Sequence, residues 1–314
     1  MSESTDTAWG VVNDIQRMCV NDGPGFRSTV FLKGCLLDCR WCHNPEGKRR
    51  FPEVIPYVSN CKVCGECLPA CPTGALSTNG GGLPKISRAL CSDCMQCAAA
   101  CRHEALVVWG RVMSADDVLS EVMKDKAFYK TSGGGLTVSG GEPMAQPAFV
   151  AALMRGAKAD PDPNERIHTA LDTCGHAAWA DYERVLDFVD LVLLDIKHMD
   201  PSAHKAYTGR DNTLILDNAR KMAARGMKMR LRVPVIPKVN DTEANFTATA
   251  RFAAELGEAV TGLDLLPYHP YAGGKYRAFG MEYEFPAGEG YDDEMLTPII
   301  NLFLDYVPEV TVGG

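Results

Sequence analysis

Cys35, Cys39 and Cys42 lie in the order Cys-x3-Cys-x2-Cys within Gly34-Cys35-Leu36-Leu37-Asp38-Cys39-Arg40-Trp41-Cys42-His43-Asn44, and offer three thiolates. A closed iron–sulfur cube needs four. Three protein ligands leave one iron open to a ligand from outside the chain, as an open position separates a catalytic metal site from a structural one. The expectation is chemistry at iron.

A second cysteine pattern repeats. Cys61-x2-Cys64-x2-Cys67-x3-Cys71-Pro72 is followed thirty residues on by Cys91-x2-Cys94-x2-Cys97-x3-Cys101. In this bacterial ferredoxin spacing the fourth cysteine of each run ligates the other run's cluster. The expected sets are Cys61, Cys64 and Cys67 with Cys101, and Cys91, Cys94 and Cys97 with Cys71. Zinc is the weaker reading, and thirteen cysteines in a reducing compartment point to metal ligation over disulfides. Eleven of them fall into these three groups; Cys19 and Cys174 stand alone.

Such a site must be held by a scaffold, and short apolar runs alternate with segments of helical period. Strands are predicted at Arg27–Lys33, Leu136–Ser139, Ile167–Asp172, Leu191–Lys197, Met229–Ile236 and Leu263–Tyr268. Helices are predicted near Ser114–Tyr129, Pro147–Ala159, Ala178–Phe188, Leu214–Arg225, Thr242–Leu256 and Asp292–Tyr306. Strict alternation implies a parallel sheet covered by helices, and Leu191-Val192-Leu193-Leu194 reads as a strand buried on both faces. Six βα units are too few for a closed eight-stranded barrel, which leaves a partial (β/α)6 barrel or an open doubly wound sheet.

In either fold, function gathers at the C-terminal strand ends. The three cysteines follow the first strand, and Ser139-Gly140-Gly141-Glu142-Pro143 follows the second, with glycines that admit a ligand to the backbone and a carboxylate suited to an ammonium. Next come Asp172-Thr173-Cys174-Gly175 and Asp195-Ile196-Lys197-His198, so that Asp172, Asp195 and Lys197 would share one pocket, although each alone could be a salt bridge at the rim. Arg232 could clamp a carboxylate, and His269 in Pro267-Tyr268-His269-Pro270 reads as a ligand contact.

Composition narrows the class. The chain has 314 residues, 46% hydrophobic and 23% charged, with net charge −8, a balance that does not favour nucleic acid or an anionic membrane surface. Residues 49–111 carry seven Lys/Arg against four Asp/Glu, an excess that would offset anionic clusters or would simply be a solvated surface. Met1-Ser2-Glu3-Ser4-Thr5-Asp6 lacks the features of a signal peptide, and no apolar run is long enough for a membrane helix, so a cytoplasmic protein is expected.

The three-cysteine loop with its aromatic Trp41, together with Gly-Gly-Glu-Pro at the second strand, resembles the radical S-adenosylmethionine superfamily. Asp22-Gly23-Pro24-Gly25-Phe26-Arg27, Lys33-Gly34-Cys35, Trp41-Cys42-His43-Asn44-Pro45-Glu46, Leu171-Asp172-Thr173, Asp195-Ile196-Lys197, Val235-Ile236-Pro237 and Leu265-Leu266-Pro267-Tyr268-His269 further resemble the glycyl radical enzyme activating enzymes. The ferredoxin-type insert is unlike the pyruvate formate-lyase activator. It is similar to activators of glycerol dehydratase, arylacetate decarboxylases, benzylsuccinate synthase, choline lyase and sulfonate lyases.

The resemblance implies a partial (β/α)6 barrel formed by residues 1–48 and 112–314, and a ferredoxin-like insert at 49–111 that holds two [4Fe–4S] clusters. A third cluster, on Cys35, Cys39 and Cys42, would chelate S-adenosylmethionine, and the 5′-deoxyadenosyl radical formed on its reduction would take a hydrogen atom from a backbone glycine of a partner glycyl radical enzyme. By the same match Gly140, Gly141 and Glu142 hold the methionyl amine, Lys197 and Arg232 the carboxylate side, His269 the ribose or adenine region, and Trp41 packs by the adenine. Asp172, Thr173 and Asp195 match a monovalent cation site. A flavodoxin or ferredoxin donor and a monomeric enzyme are implied, with no nucleic acid and no membrane among its partners. Phe26 replaces a usual isoleucine, read as a conservative core change, and Lys238 replaces a common glycine, which would strain the loop if that position needs positive φ. The alternatives are a radical enzyme acting on a small molecule or peptide, and a ferredoxin-type electron carrier.

Overall fold

The computed structural model describes residues 8–279, 281–285 and 290–313. The N-terminal hexapeptide and Gly314 lie outside them. The strands are β1 (Trp9–Cys19), β2 (Arg27–Leu32), β3 (Glu53–Pro56), β4 (Leu76–Thr78), β5 (Pro84–Ile86), β6 (Leu106–Trp109), β7 (Arg111–Ser114), β8 (Gly135–Gly140), β9 (His168–Thr173), β10 (Leu191–Asp195), β11 (Met229–Val235), β12 (Val260–Pro267) and β13 (Val310–Val312). Nine of them form one sheet in the order β13-β12-β11-β10-β9-β8-β2-β1-β7.

From β2 through β8–β12 to β13 every pairing is parallel; β1 runs antiparallel to both β2 and β7. All six predicted strands are present as β2, β8, β9, β10, β11 and β12. Leu136, Val138, Leu171, Val192 and Leu194 are fully buried, as central parallel strands with covered faces require. Strand β1 escaped the sequence reading because polar residues interrupt it and its register with β2 shifts twice.

The predicted helix over Ser114–Tyr129 is instead two helices, Ala115–Val122 and Lys126–Ser132, joined by a 3-10 turn. Tyr129 donates its hydroxyl to the Val122 carbonyl (2.8 Å), the group that Lys126 N–H would engage in an uninterrupted helix. Phe26 is 38% exposed, so its replacement of isoleucine is a surface change and not a core one. Lys238 does adopt φ +63°, the left-handed region in which a side chain is strained. Among the described residues no helix is long and apolar enough to cross a membrane.

Residues 53–109 leave and rejoin the sheet between β2 and β7 as two antiparallel pairs, β3 with β6 and β4 with β5. The buried apolar core of this segment is small: Val54, Leu76 and Leu106, packed against Cys67, Cys71, Cys97 and Cys101.

Candidate active site

At the C-terminal ends of the parallel strands lies a cavity of about 440 Å³, within the usual range for a small-molecule site. The loop after β2 brings Cys35, Cys39, Trp41 and Cys42 to its wall, and β8 brings Gly140 and Gly141. Asp172 comes from β9, Asp195 and Lys197 from the end of β10, Arg232 from β11, and His269 from beyond β12. Residues from six strands reach one chamber.

Glycine at 140 and 141 is required by packing. Gly140 has φ +123°, and a Cβ on either residue would collide with backbone of Leu32, Gly34 or Gly47. The Gly-Gly turn therefore lies directly against both ends of the cysteine loop, where Gly141 N–H donates to Leu32 O (2.9 Å) and Glu142 N–H to Gly34 O (2.7 Å).

Two predicted contacts lie behind the wall. The Glu142 carboxylate is fully buried and accepts from the Thr173 hydroxyl (2.7 Å), Cys174 N–H (2.7 Å) and Met144 N–H (2.9 Å). Burial pushes its pKa up while these donors hold it down, leaving it above the ordinary carboxylate value. Thr173 is likewise turned inward, and because its one proton goes to Glu142, the Tyr182 hydroxyl must donate to it (2.8 Å). The cavity wall at this point is Cys174, which the sequence left unassigned.

Charge in the chamber is arranged in pairs. Lys197 Nζ stands 2.7 Å from Asp195 Oδ2, and Arg232 Nη1 stands 3.3 Å from Asp172 Oδ2, which also accepts from the Ser139 hydroxyl (2.6 Å). Burial alone would depress both cations, but Asp195 beside Lys197 and Asp172 beside Arg232 more than offset it and keep both charged. Of the three residues matched to a monovalent cation site, Asp172 and Asp195 line the cavity, each with its Oδ2 facing a cation, while the Thr173 hydroxyl is committed to Glu142. Arg232 Nε is buried without a hydrogen-bond partner.

Burial pushes the thiol pKa of Cys35 up to about 12 and that of Cys39 to about 11, and raises Cys42 as well. In such a wall a thiolate persists only beside a positive centre, so these three soft donors suit a cationic iron site. An apolar rim of Leu37, Trp41, Ile236, Val239 and Tyr268 surrounds them. Asp22, His43 and Tyr268 also line the chamber; the sequence signal for the first two was their place in quoted motifs to which no role had been given.

In the insert, Cys61, Cys64, Cys67 and Cys101 line one small cavity, while Cys97 is influenced by both Cys71 and Cys91. Each fourth cysteine thus sits with the other run's set. Among the described residues no three His, Cys, Asp or Glu side chains are grouped to hold a single metal ion.

A domain model described as "Radical SAM superfamily" matches residues 91–250, and one described as "4Fe-4S single cluster domain" matches residues 21–62. The solved structure of Streptococcus suis SuiB bound to precursor peptide SuiA covers 88% of this chain and 46% of its own, with TM-score 0.52 and 12% identity, a likeness of fold. Fold and site together define a radical S-adenosylmethionine protein.

The isethionate sulfite-lyase activating enzyme of Nitratidesulfovibrio vulgaris is 44% identical over 89% of this chain and 90% of its own. The (2S)-3-sulfopropanediol dehydratase activating enzyme of Klebsiella oxytoca is 41% identical over 88% and 87% respectively. This chain belongs to the glycyl radical enzyme activating enzymes.

Proposed function

We propose that this chain, acting in the cytoplasm as a monomer, generates a 5′-deoxyadenosyl radical from S-adenosylmethionine and uses it to abstract a hydrogen atom from a backbone glycine of a partner glycyl radical enzyme. The observation that carries this reading is one chamber lined together by Cys35, Cys39 and Cys42, the Gly140–Gly141 pair, Lys197 and Arg232. When bound, the [4Fe–4S] cluster and S-adenosylmethionine supply the one-electron cleavage of the sulfonium.

The residues divide the remaining work. Cys35, Cys39 and Cys42 hold the cluster and leave one iron free. The Gly140–Gly141 backbone receives the methionyl amine, Lys197 and Arg232 hold the carboxylate side, and Asp172 with Ser139 orients Arg232. Trp41 packs beside the adenine, and His269 contacts the ribose or adenine. The apolar rim keeps water from the chamber, which strengthens the ion pairs and hydrogen bonds inside it. Glu142 acts from behind, fixing the turn between β8 and β9. Residues 49–111 form a ferredoxin-like lobe with two further [4Fe–4S] clusters, on Cys61, Cys64, Cys67 and Cys101, and on Cys91, Cys94, Cys97 and Cys71. A flavodoxin or ferredoxin supplies the electron.

The test is anaerobic reconstitution with iron and sulfide, reduction by dithionite, and addition of S-adenosylmethionine. About twelve irons per chain, together with 5′-deoxyadenosine, are expected for three four-iron clusters. About eight irons and no 5′-deoxyadenosine would return the protein to the electron carriers.

A further inference from the structure

The seam between the insert and the sheet is built from charge, and its chain of contacts leads from one set of cysteines to another. Lys33, fully buried immediately before the Gly34-Cys35 loop, donates to Glu46 O (2.7 Å) and pairs with Glu53 Oε1 (3.0 Å). Glu53 is itself buried, 5% exposed at the first residue of β3, and its other oxygen faces Arg49 (3.2 Å) and Arg88 (3.5 Å). Arg49 then reaches Asp93 (2.7 Å), which stands between Cys91 and Cys94 and accepts from the Cys91 thiol (3.6 Å). Arg49 also directly follows Lys48, whose carbonyl receives Cys35 N–H (3.1 Å).

Among the described residues the other cysteine set has no comparable tie to the sheet. Cys61, Cys64, Cys67 and Cys101 open on a cavity lined by Lys62, Thr78 and Pro84, and Cys64 is exposed. Each set has one exposed cysteine, Cys94 and Cys64, and the two sites differ in that the Arg49–Asp93 pair ties the Cys91 run to the catalytic loop.

We infer that Arg49 is a positioning residue for electron delivery: by bridging Glu53 and Asp93 it holds the Cys91-run site against the Cys35 loop, so that this site is the last stop before the catalytic cluster. The inference rests on the proposed function, since it needs clusters at the cysteines named. The step moves one electron: the insert cluster is oxidised by one unit and the catalytic cluster reduced by one, with no bond made or broken and no proton transferred. A purely structural role would require only that the lobe fold, whereas a positioning role requires the two sites to stay in register.

The experiment uses the full chain with all clusters installed. The protein is reduced with dithionite, freed of excess reductant and given S-adenosylmethionine, while 5′-deoxyadenosine is counted and electron paramagnetic resonance follows the reduced insert clusters. In the unaltered protein, product should pass one per chain as the insert signals decay. Arg49→Ala and Asp93→Asn should keep about twelve irons and the full initial insert signals, yet stop near one product per chain, with decay of those signals slowed about tenfold or more. Arg49→Lys should restore part of the rate.

Either variant discharging its insert clusters at the unaltered rate overturns the inference, as does an unaltered protein whose insert signals outlast turnover. If Arg49→Ala loses iron, Asp93→Asn decides, because the Glu53 charge then keeps its partners. Absence of 5′-deoxyadenosine even with dithionite in excess would instead remove the functional reading itself.

Discussion

The two cysteine-bearing regions surround their thiols in opposite ways. In the chamber the thiols sit in a small apolar cluster with Leu37, Trp41, Ile236, Val239 and Tyr268, beside an extensive core that contains none of them, and burial raises the pKa values of Cys35 and Cys39 far above the ordinary one. In the insert the buried apolar residues are few and cysteines are part of the core itself; Cys64 and Cys94 are exposed, and the Thr73 hydroxyl draws Cys71 down to about 7. The first region is a pocket on a well-packed scaffold, the second a lobe whose cysteines pack against a small interior.

The sharpest break of this comparison is Cys35→Ala. It should reduce cleavage of S-adenosylmethionine to background while leaving about eight of twelve irons, read by product assay and iron analysis. Retained cleavage would remove Cys35 from the site. Next in size is the loss of local stability on stripping iron: amides of residues 53–109 should exchange almost freely while those of β8, β9 and β10 stay protected, checked by hydrogen exchange on both forms. Equal protection in the two regions would mean that the insert has a sufficient core of its own.

A pH series sharpens the same contrast. A thiol must shed its proton to bind iron, so uptake falls as pH falls, and most steeply where pKa values are highest. Burial pushes Cys35 and Cys39 to about 12 and about 11 and raises Cys42; in the insert it raises Cys67 and Cys97, but the Thr73 hydroxyl draws Cys71 down to about 7. Iron lost between about pH 8.5 and 6.5 should therefore come first from the catalytic site, seen as convergence of the unaltered protein with Cys35→Ala.

Tyr182→Phe should weaken binding of S-adenosylmethionine about fivefold, at a cost of about 1 kcal/mol, by removing the hydroxyl that organises Thr173 and hence Glu142. Equilibrium dialysis measures it, and unchanged affinity would show the wall to be set without Tyr182. The smallest effect is at Lys238, where glycine should relieve the left-handed strain and stabilise the chain by about 0.5 kcal/mol, net of unfolded-state entropy, in a urea midpoint.

Much of this was legible from residues alone. The six strands leading to the chamber announced themselves as β-branched apolar runs because their faces are covered. The cysteine spacing also placed Cys101 beside the first run, with which it lines one cavity. What escaped were elements whose pattern is not amphipathic or whose geometry is imposed from elsewhere. Strand β1 carries polar residues along its length, and the helix after Ser114 is broken by a hydroxyl seven residues from the carbonyl it takes.

The sequence by itself determined which residues can bind iron and which loops carry them, because ligand type and spacing are local properties of the chain. Only the tertiary structure decided which of those side chains face the cavity. Glu142 is turned away by donors from Thr173 and Cys174, thirty-one and thirty-two residues distant, and Cys174 takes its place in the wall. The seam through Lys33, Glu53, Arg49 and Asp93 is of the same kind: Arg49 and Asp93 are forty-four residues apart, and only folding turns their charges into a joint.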